Sequence, residues 1–404
     1  MRVLMLNAFL WPKGGVERTL FDETRWLEAA GHEVAHFATR DPRNRPSPFA
    51  EHFAPAAAFG EDVPAWRQLP QLPRTVWSAP AARALGGLLD AWRPDVAHVH
   101  APSRYLTPSV IAELDRRGVP VVMTLHDFKP WCTNRILFAH GAFCERCRGG
   151  QHWHAAATGC VQGSVAKSLV GAFEAYEHDR RHAYAPVRTF IAPSRFAHDQ
   201  AVRMGGDAAR IRVLSHGVDA PGTAAWSGPA IPERFVLFVG RLSDEKGVDR
   251  LPDLARAIAP VPLWVAGGGP REAWLRTQPS ANLHPLGPLT PEALAAVRAR
   301  ASVVVVPSAF PETFGYVVAE AMLDARPVVA TRIGAVGELV QHERTGLLVA
   351  PDDRAGFTAA VQRALADPSA TTWGEAGRAH VLQACTPRAH LDGLLAIYTA
   401  ACGA

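Results

Sequence analysis

Short apolar runs recur along this chain, and most are followed by a polar turn and then by a stretch with a helical period. Residues 2–7 (RVLMLN), 94–100 (PDVAHVH), 119–125 (VPVVMTL), 190–194 (FIAPS), 211–214 (IRVL), 235–239 (FVLFV), 262–266 (PLWVA) and 303–306 (VVVV) read as strands, with another restarting at Gly31-His-Glu-Val34. The VVVV run has no polar face, so it belongs in the middle of a parallel sheet covered on both sides. Helical periods fall over residues 16–30, 82–93, 107–117, 163–184 and 387–402. This recurring strand–loop–helix order predicts an α/β protein built on parallel sheets. Residues 41–80, rich in Pro, Ala and Trp, predict loops and short helices, and the Pro/Gly/Ser-rich residues 220–232 predict the passage between two domains.

The totals fit that picture. At 404 residues the chain is long enough for two ordinary domains. No apolar run reaches the roughly 18 residues that suggest a membrane span. The start, MRVLMLNAFL, leads straight into a Gly-rich turn and reads as a first strand, not a signal peptide, which predicts a cytoplasmic protein. Residues 1–215 hold 26 Lys and Arg against 20 Asp and Glu, a net of +6, and the remainder holds 16 against 18, a net of −2. A basic first half suits anionic lipid or a phosphate-bearing acceptor, and ordinary surface charge is the plainer reading. Interleaved acidic residues argue against nucleic acid as a partner.

Loops that follow the strands of an open α/β sheet lie where such sheets bind ligands, so polar residues there are the candidates for chemistry. After Val306 come a loop with Glu312 and Thr313, a helix opening near Phe314, and Glu320 inside that helix. Gly315 would let a ligand approach the first helical N–H groups, which suit an anion. Carboxylates accept hydrogen bonds from hydroxyls, so a sugar or ribose is the natural ligand for Glu312 and Glu320. Gly14 and Gly15 follow the first strand and let the backbone come close to a phosphate. Arg241 and Lys246 follow residues 235–239 and can straddle a diphosphate, neutralising it as it leaves. His126 and Asp127 stand at the end of residues 119–125.

Glu312-x7-Glu320, with PSAFPETFG before it and EAMLDARPVVAT and TGLLVAPDD after it, resembles the donor-site signature of the retaining GT-B glycosyltransferases of family 4. GG-x-x-R at Gly14, Gly15 and Arg18, VVMTLHDF around His126, SHGVD at 215–219 and GRL…KG at 240–247 resemble further segments of that family. The resemblance implies two Rossmann-like domains facing across a cleft. Residues 1–215 would bind the acceptor and 216–386 the nucleotide sugar, with the terminal helix (387–404) crossing back onto the first domain. It implies that Gly14, Gly15, Arg241 and Lys246 hold the donor diphosphate, with Arg18 adding charge or capping its helix. Gly268 would lie near the nucleotide, Leu289 beside the base, and Thr313, Phe314 and Gly315 around the donor. Glu320 would hold the ribose, Glu312 the sugar hydroxyls, and His126 would line the reaction centre. Asp127 would fix the loop or touch the acceptor. The implied reaction transfers a sugar from a nucleoside diphosphate sugar to a glycan or lipid-linked acceptor with retention, without a catalytic cofactor. An epimerase or phosphorylase of the same fold, or a non-catalytic nucleotide-binding module, are the rivals. The chain departs from the family text at His216 (for Asn), Gly267-Gly-Gly269, Arg326 and Gly334-Ala-Val.

Cys132, Cys144, Cys147 and Cys160 form a C-x11-C-x2-C-x12-C pattern, leaving only Cys385 and Cys402 elsewhere. Four such thiolates can hold a structural zinc, with His152 and His154 as spare ligands. Disulfides, redox-active thiols and unlinked cysteines are the other readings. Residues 163–184 read as a helix packed on its domain with a solvated charged face, the alternative being contact with a membrane surface.

Overall fold

The structure, a computed structural model, describes residues 1–56, 71–219, 226 and 228–403. Much of the 41–80 stretch and the first part of the 220–232 passage therefore lie outside the described residues.

The apolar runs form two separate six-stranded parallel sheets. The first contains β1 (Arg2–Leu6), β2 (Glu33–Phe37), β3 (Val96–Val99), β4 (Val121–Thr124), β7 (Val187–Ala192) and β8 (Ile211–Val213), in the order β2-β1-β3-β4-β7-β8. Between β4 and β7 the two-residue strands β5 (Phe138–Ala139) and β6 (Ala142–Phe143) pair as a small hairpin. The second sheet contains β9 (Val236–Val239), β10 (Leu263–Ala266), β11 (Leu283–Gly287), β12 (Val303–Val306), β13 (Val328–Thr331) and β14 (Gly346–Val349), in the order β11-β10-β9-β12-β13-β14. Alternation along each strand feeds two cores per domain: Leu4 and Leu6 face one layer of helices, Val3 and Met5 the other. In β12, Val304 and Val306 face one layer, Val303 and Val305 the other.

Helices of eight or more residues cover these sheets: α1 (Gly15–Ala29), α2 (Ala79–Ala91), α3 (Ser109–Arg116), α4 (Val165–Arg180), α5 (Arg195–Met204), α6 (Pro291–Arg298), α7 (Tyr316–Leu323), α8 (Arg354–Ala366), α9 (Ala370–Ala384) and α10 (Pro387–Gly403). α2 begins three residues before its apolar period because the Ser78 side chain accepts from the Ala81 N–H and Pro80 sits in the first turn. α10 leaves the second domain and packs Leu394, Tyr398 and Ala401 against Val3, Met5, Val122 and Ile191 of the first.

Two local features add to the expectations. α4 presents a mixed face to solvent: Lys167, Asp179 and Arg180 are exposed, and so are Val165, Leu169, Phe173 and Tyr176, spaced along one side of the helix, with Trp153 beside them. Arg180 and Arg181 are tied to Glu177. Gly217, in the SHGVD segment, allows a close approach. A Cβ on it would lie 2.6 Å from the Trp26 ring and 3.0 Å from Pro387.

Candidate active site

Each sheet reverses its strand order once, between β1 and β3 in the first and between β9 and β12 in the second, and ligands bind at such switch points. The loops after β9 and β12 flank the second crevice and carry Arg241, Lys246 and Glu312. They pack backbone to backbone. Gly247 has φ 72°, and a Cβ there would lie 2.1 Å from the Pro307 carbonyl oxygen, so only glycine allows the loop carrying Lys246 to lie on the loop carrying Glu312. Lys246 Nζ donates to Glu312 Oε1 at 2.5 Å, and Ser308 Oγ donates to the same oxygen at 2.9 Å. Arg241 is exposed and makes no salt bridge among the described residues. Nearby charges from Arg43, Arg241 and Arg135 help burial to depress the Lys13 ammonium, against the pull of Glu17, so the Gly14–Gly15 loop brings a further cation to this side.

Gly315 caps α7 at φ 98°, which explains the glycine by backbone conformation, since a Cβ there would only touch Leu339 and Val336 at ordinary contact distance. Phe314 is buried in the core beneath the loop. Glu320 is buried within α7 and already paired. Arg298 Nη1 donates to its Oε2 at 3.0 Å, and Arg18 Nη1 reaches its Oε1 from the first domain. Arg18 also lies over the Tyr316 ring at 4.9 Å, so it neither caps its own helix nor stands free for a phosphate. Gly15 faces Tyr316 as well, 3.5 Å from where its Cβ would be. Gly268 lies in the loop after β10 beside Pro288 and Glu272, and Leu289 lies at the edge of the second core.

The first domain meets this surface directly. Thr313 Oγ1 donates to the His126 carbonyl at 3.2 Å, Ser194 Oγ donates to the Thr313 carbonyl at 2.8 Å, and Thr19 Oγ1 and the Tyr316 hydroxyl share a 2.7 Å hydrogen bond. Both oxygens of Glu338 accept from the N–H groups that open α5, Arg195 at 3.0 Å and Phe196 at 2.6 Å. His126 and Asp127 border a small pocket of about 20 Å³ with His100, Lys129, Arg135 and Tyr184, room for one water. Burial pushes the His126 imidazole down to about 4, against the pull of Glu23, so the ring is neutral at ordinary pH. Asp127 faces Arg135 at 3.6 Å and accepts from the Lys129 backbone N–H at 2.9 Å, which holds the loop. His216 sits between His126 and Tyr316, its ring centroid 5.5 and 5.3 Å from theirs.

The structure thus joins the loop of Glu312 and Thr313 to His126, with Lys246 on Glu312, while Arg241 and Arg135 both act on Lys13. The four cysteines of the pattern are neighbours, Cys147 acting on Cys132 and, with Cys144, on Cys160. Among the described residues, no three of these sulfurs lie mutually within 4.8 Å, and all six cysteines are free, so the four do not form a closed four-thiolate site as arranged. Burial pushes the Cys132 thiol up to about 12. Cys147 belongs to a different arrangement. Its Sγ is 3.8 Å from Thr133 Oγ1, whose partner His152 contacts Asp179 Oδ2 at 3.0 Å. Hydrogen bonds to Asp179 and Cys147 lift His152 to about 9 despite its burial.

Sequence reasoning passed over Glu23, Thr19, Tyr316, Ser194 and His390, all of which bind the two domains or the histidine cluster together. Only His98-x-His100 left a signal, because residues two apart on a strand share a face. Gly334, read as a departure, is required: at φ 60° its Cβ would lie 2.4 Å from the Glu312 carbonyl oxygen.

Two parallel-sheet domains with polar loops at their switch points are the architecture of the GT-B glycosyltransferases. The chain belongs to this class by sequence as well: residues 13–220 match Glycosyltransferase Family 4 and residues 233–367 match Glycosyl transferases group 1. It is 31% identical to a glycogen synthase of Mycobacterium tuberculosis, over 92% of this chain and 87% of that one. It is 30% identical to a GDP-mannose-dependent alpha-mannosyltransferase of Mycolicibacterium smegmatis, over 100% and 98%. In fold it resembles the sucrose-phosphate synthase of Thermosynechococcus elongatus (TM-score 0.73, 22% identity, 98% of each chain). It also resembles Anabaena HepE in complex with UDP-glucose (TM-score 0.70, 18% identity, 99% of this chain and 100% of that one).

Proposed function

We propose that the protein transfers a sugar from a nucleoside diphosphate sugar to an acceptor hydroxyl with retention of anomeric configuration. The observation that carries this reading is the placement of Arg241, Lys246 and Glu312 on the two loops flanking the second switch point, joined through Thr313 to the backbone of His126. In this reading Arg241 and Lys246, aided by Lys13 and the Gly14–Gly15 loop, neutralise the diphosphate without a metal ion. Glu320 holds the ribose, Gly268 and Leu289 line the nucleotide, and Glu312 accepts from sugar hydroxyls. The leaving phosphate takes the acceptor proton, since burial pushes His126 down to about 4 and leaves it a weak base. One relative is named for GDP-mannose and one structural neighbour holds UDP-glucose, so the base is open. Thermal stabilisation by UDP, GDP, ADP or dTDP and their sugars tests the donor site. Proton NMR of the first-formed product tests retention: an inverted anomeric centre would reject it. Conversion of the donor with nucleotide alone would point to an epimerase instead.

The acceptor is a glycan or a lipid-linked saccharide met at the cytoplasmic face of a membrane. Supporting this are the exposed apolar side of α4, with Lys167 beside it, and the basic balance of the first domain. The described residues include no helix long and apolar enough to cross a membrane, so contact would be peripheral. Cosedimentation with anionic phosphatidylglycerol vesicles should fall at least tenfold in Leu169→Glu/Phe173→Glu, and equal binding by the variant would refute the contact.

A further inference from the structure

A file of buried polar side chains runs from the reaction side of the first domain to the terminal helix. Glu23 on α1, His98 and His100 at the end of β3, and His390 on α10 are each at most 3% exposed, and His126 stands at the outer end. Buried polar atoms need partners, and the hydrogens available fix who donates to whom. His98 is satisfied by Thr124 Oγ1 and the Tyr398 hydroxyl, each at 2.7 Å. His390 Nδ1 must donate to the Ser215 carbonyl at 2.7 Å, and its Nε2 faces Glu23 Oε1 at 2.9 Å. Although burial works against it, the bond to Glu23 raises the His390 imidazole, so it is an imidazolium against a carboxylate. Burial alone would raise Glu23 too, but His98, His390 and His100 outweigh it and hold the acid well below its usual range.

The remaining Glu23 oxygen, Oε2, and His100 Nε2 each lack a made hydrogen bond: Oε2 lies 3.3 Å from His98 Nδ1, which is already bonded to the Tyr398 hydroxyl, and 3.5 Å from His100 Nε2. That spacing is long for a made hydrogen bond, as unliganded sites often show. His100 Nδ1 lies 3.0 Å from His126 Nε2. Burial depresses His100 strongly, as it does His126, so each ring is neutral and carries one N–H. A carboxylate offers no hydrogen, so the ring nitrogen facing it must carry one.

We propose that Glu23 is a positioning residue for His126: it holds His100 as the Nε2–H tautomer, whose Nδ1 lone pair accepts from His126 Nε2–H. His126 is thereby left with an unprotonated Nδ1, which makes no hydrogen bond among the described residues, on a ring that borders the pocket with Asp127, Lys129 and Arg135. The site then presents an acceptor to a hydroxyl of the donor sugar or the incoming acceptor, and no general acid. No proton is transferred along the file; it sets orientation and tautomer, as the outer partners of functional histidines commonly do. This inference rests on the proposed transfer reaction with His126 at its centre.

The test is long-range 1H–15N NMR of the full chain labelled at histidine rings, with His100 and His126 assigned by loss of signal in His100→Gln and His126→Gln. The expected result is an Nε2–H tautomer for both rings in the wild-type protein. An Nδ1–H tautomer at His126 would overturn the proposal without recourse to any variant. Glu23→Gln should mix the tautomers and slow consumption of the nucleotide sugar about 10–100-fold, with affinity for the nucleotide unchanged and partial recovery in Glu23→Asp. Unchanged tautomers in folded Glu23→Gln would also overturn it. So would a stoichiometric metal ion lost from Glu23→Gln: Glu23, His98 and His100 present ligand atoms within 4.8 Å of one another, and an ion on His100 Nε2 would displace that hydrogen. Failure of every nucleotide to bind while the Nε2–H tautomers stand would reject the transfer reading, whereas nucleotide binding with Nδ1–H at His126 would reject the relay alone.

Discussion

Replacing Arg298 by Met should be among the most damaging single changes in the second domain, and the structure sets its size. Arg298 is buried between two carboxylates, donating from Nε to Asp324 at 2.6 Å and from Nη1 to Glu320 at 3.0 Å. The Asp324 side chain is fully buried, and burial raises its carboxyl even with Arg298 beside it. Removing the cation leaves an uncompensated buried charge, which costs about 3–5 kcal/mol. Glu320→Gln keeps the shape and leaves Arg298 paired with Asp324, so it loses one charge-assisted hydrogen bond, about 1.5–3 kcal/mol. The contact with Arg18, one-third exposed, adds at most about 1 kcal/mol. Urea unfolding of the three proteins should rank wild type above Glu320→Gln above Arg298→Met. Arg298→Met/Asp324→Asn should recover at least half of the loss, because the stranded charge is gone. An Arg298→Met protein within about 1 kcal/mol of wild type, or less damaged than Glu320→Gln, would refute the reasoning.

Gly247→Ala should lower stability by several kcal/mol and release the loop carrying Lys246, because its Cβ would collide with the Pro307 carbonyl; wild-type stability and nucleotide affinity together would contradict this. Stability should fall as pH drops from about 6.5 towards 4. Burial pushes His36 and His126 down to about 4, so the unfolded chain takes up protons that the fold refuses, at most about 3 kcal/mol each. The urea midpoint against pH checks it, and a flat profile over that window in the wild-type protein would count against the assignment. On the alkaline side, stability tied to His152 should be lost as pH rises towards about 9, and His152→Asn should remove that limb. For zinc, the cysteines would have to converge from their present positions. One equivalent per chain, lost in Cys144→Ser/Cys147→Ser, would establish the site, and metal-free protein of full stability would dismiss it.

Much of the fold was legible because a parallel sheet writes itself as unbroken apolar runs: β1, β4, β9, β10 and β12 could each be read as strands. β13 and β14 were not singled out, since they follow closely on the helix and loop that carry the strongest text. The loops that hold Lys246, Glu312 and His126 were legible because their chemistry is local, a few residues beyond a strand. What could not be read was pairing over long separations. Nothing near Glu320 announces that Arg18, three hundred residues away, will reach it, and nothing near Glu23 announces His390. The apolar side of α4 was also hidden: Val165, Leu169, Phe173 and Tyr176 face outward beside the exposed Lys167, Asp179 and Arg180.

The central claim, that the loops after β9 and β12 form a nucleotide-sugar site, is most directly tested by calorimetric titration of the wild-type protein and of Arg241→Met and Lys246→Met with the nucleoside diphosphates. Binding of one nucleotide series by the wild-type protein, weakened at least tenfold in both variants with the fold intact, is the predicted result. Equal affinity in all three proteins, or no binding of any nucleotide to the wild-type protein, would contradict it.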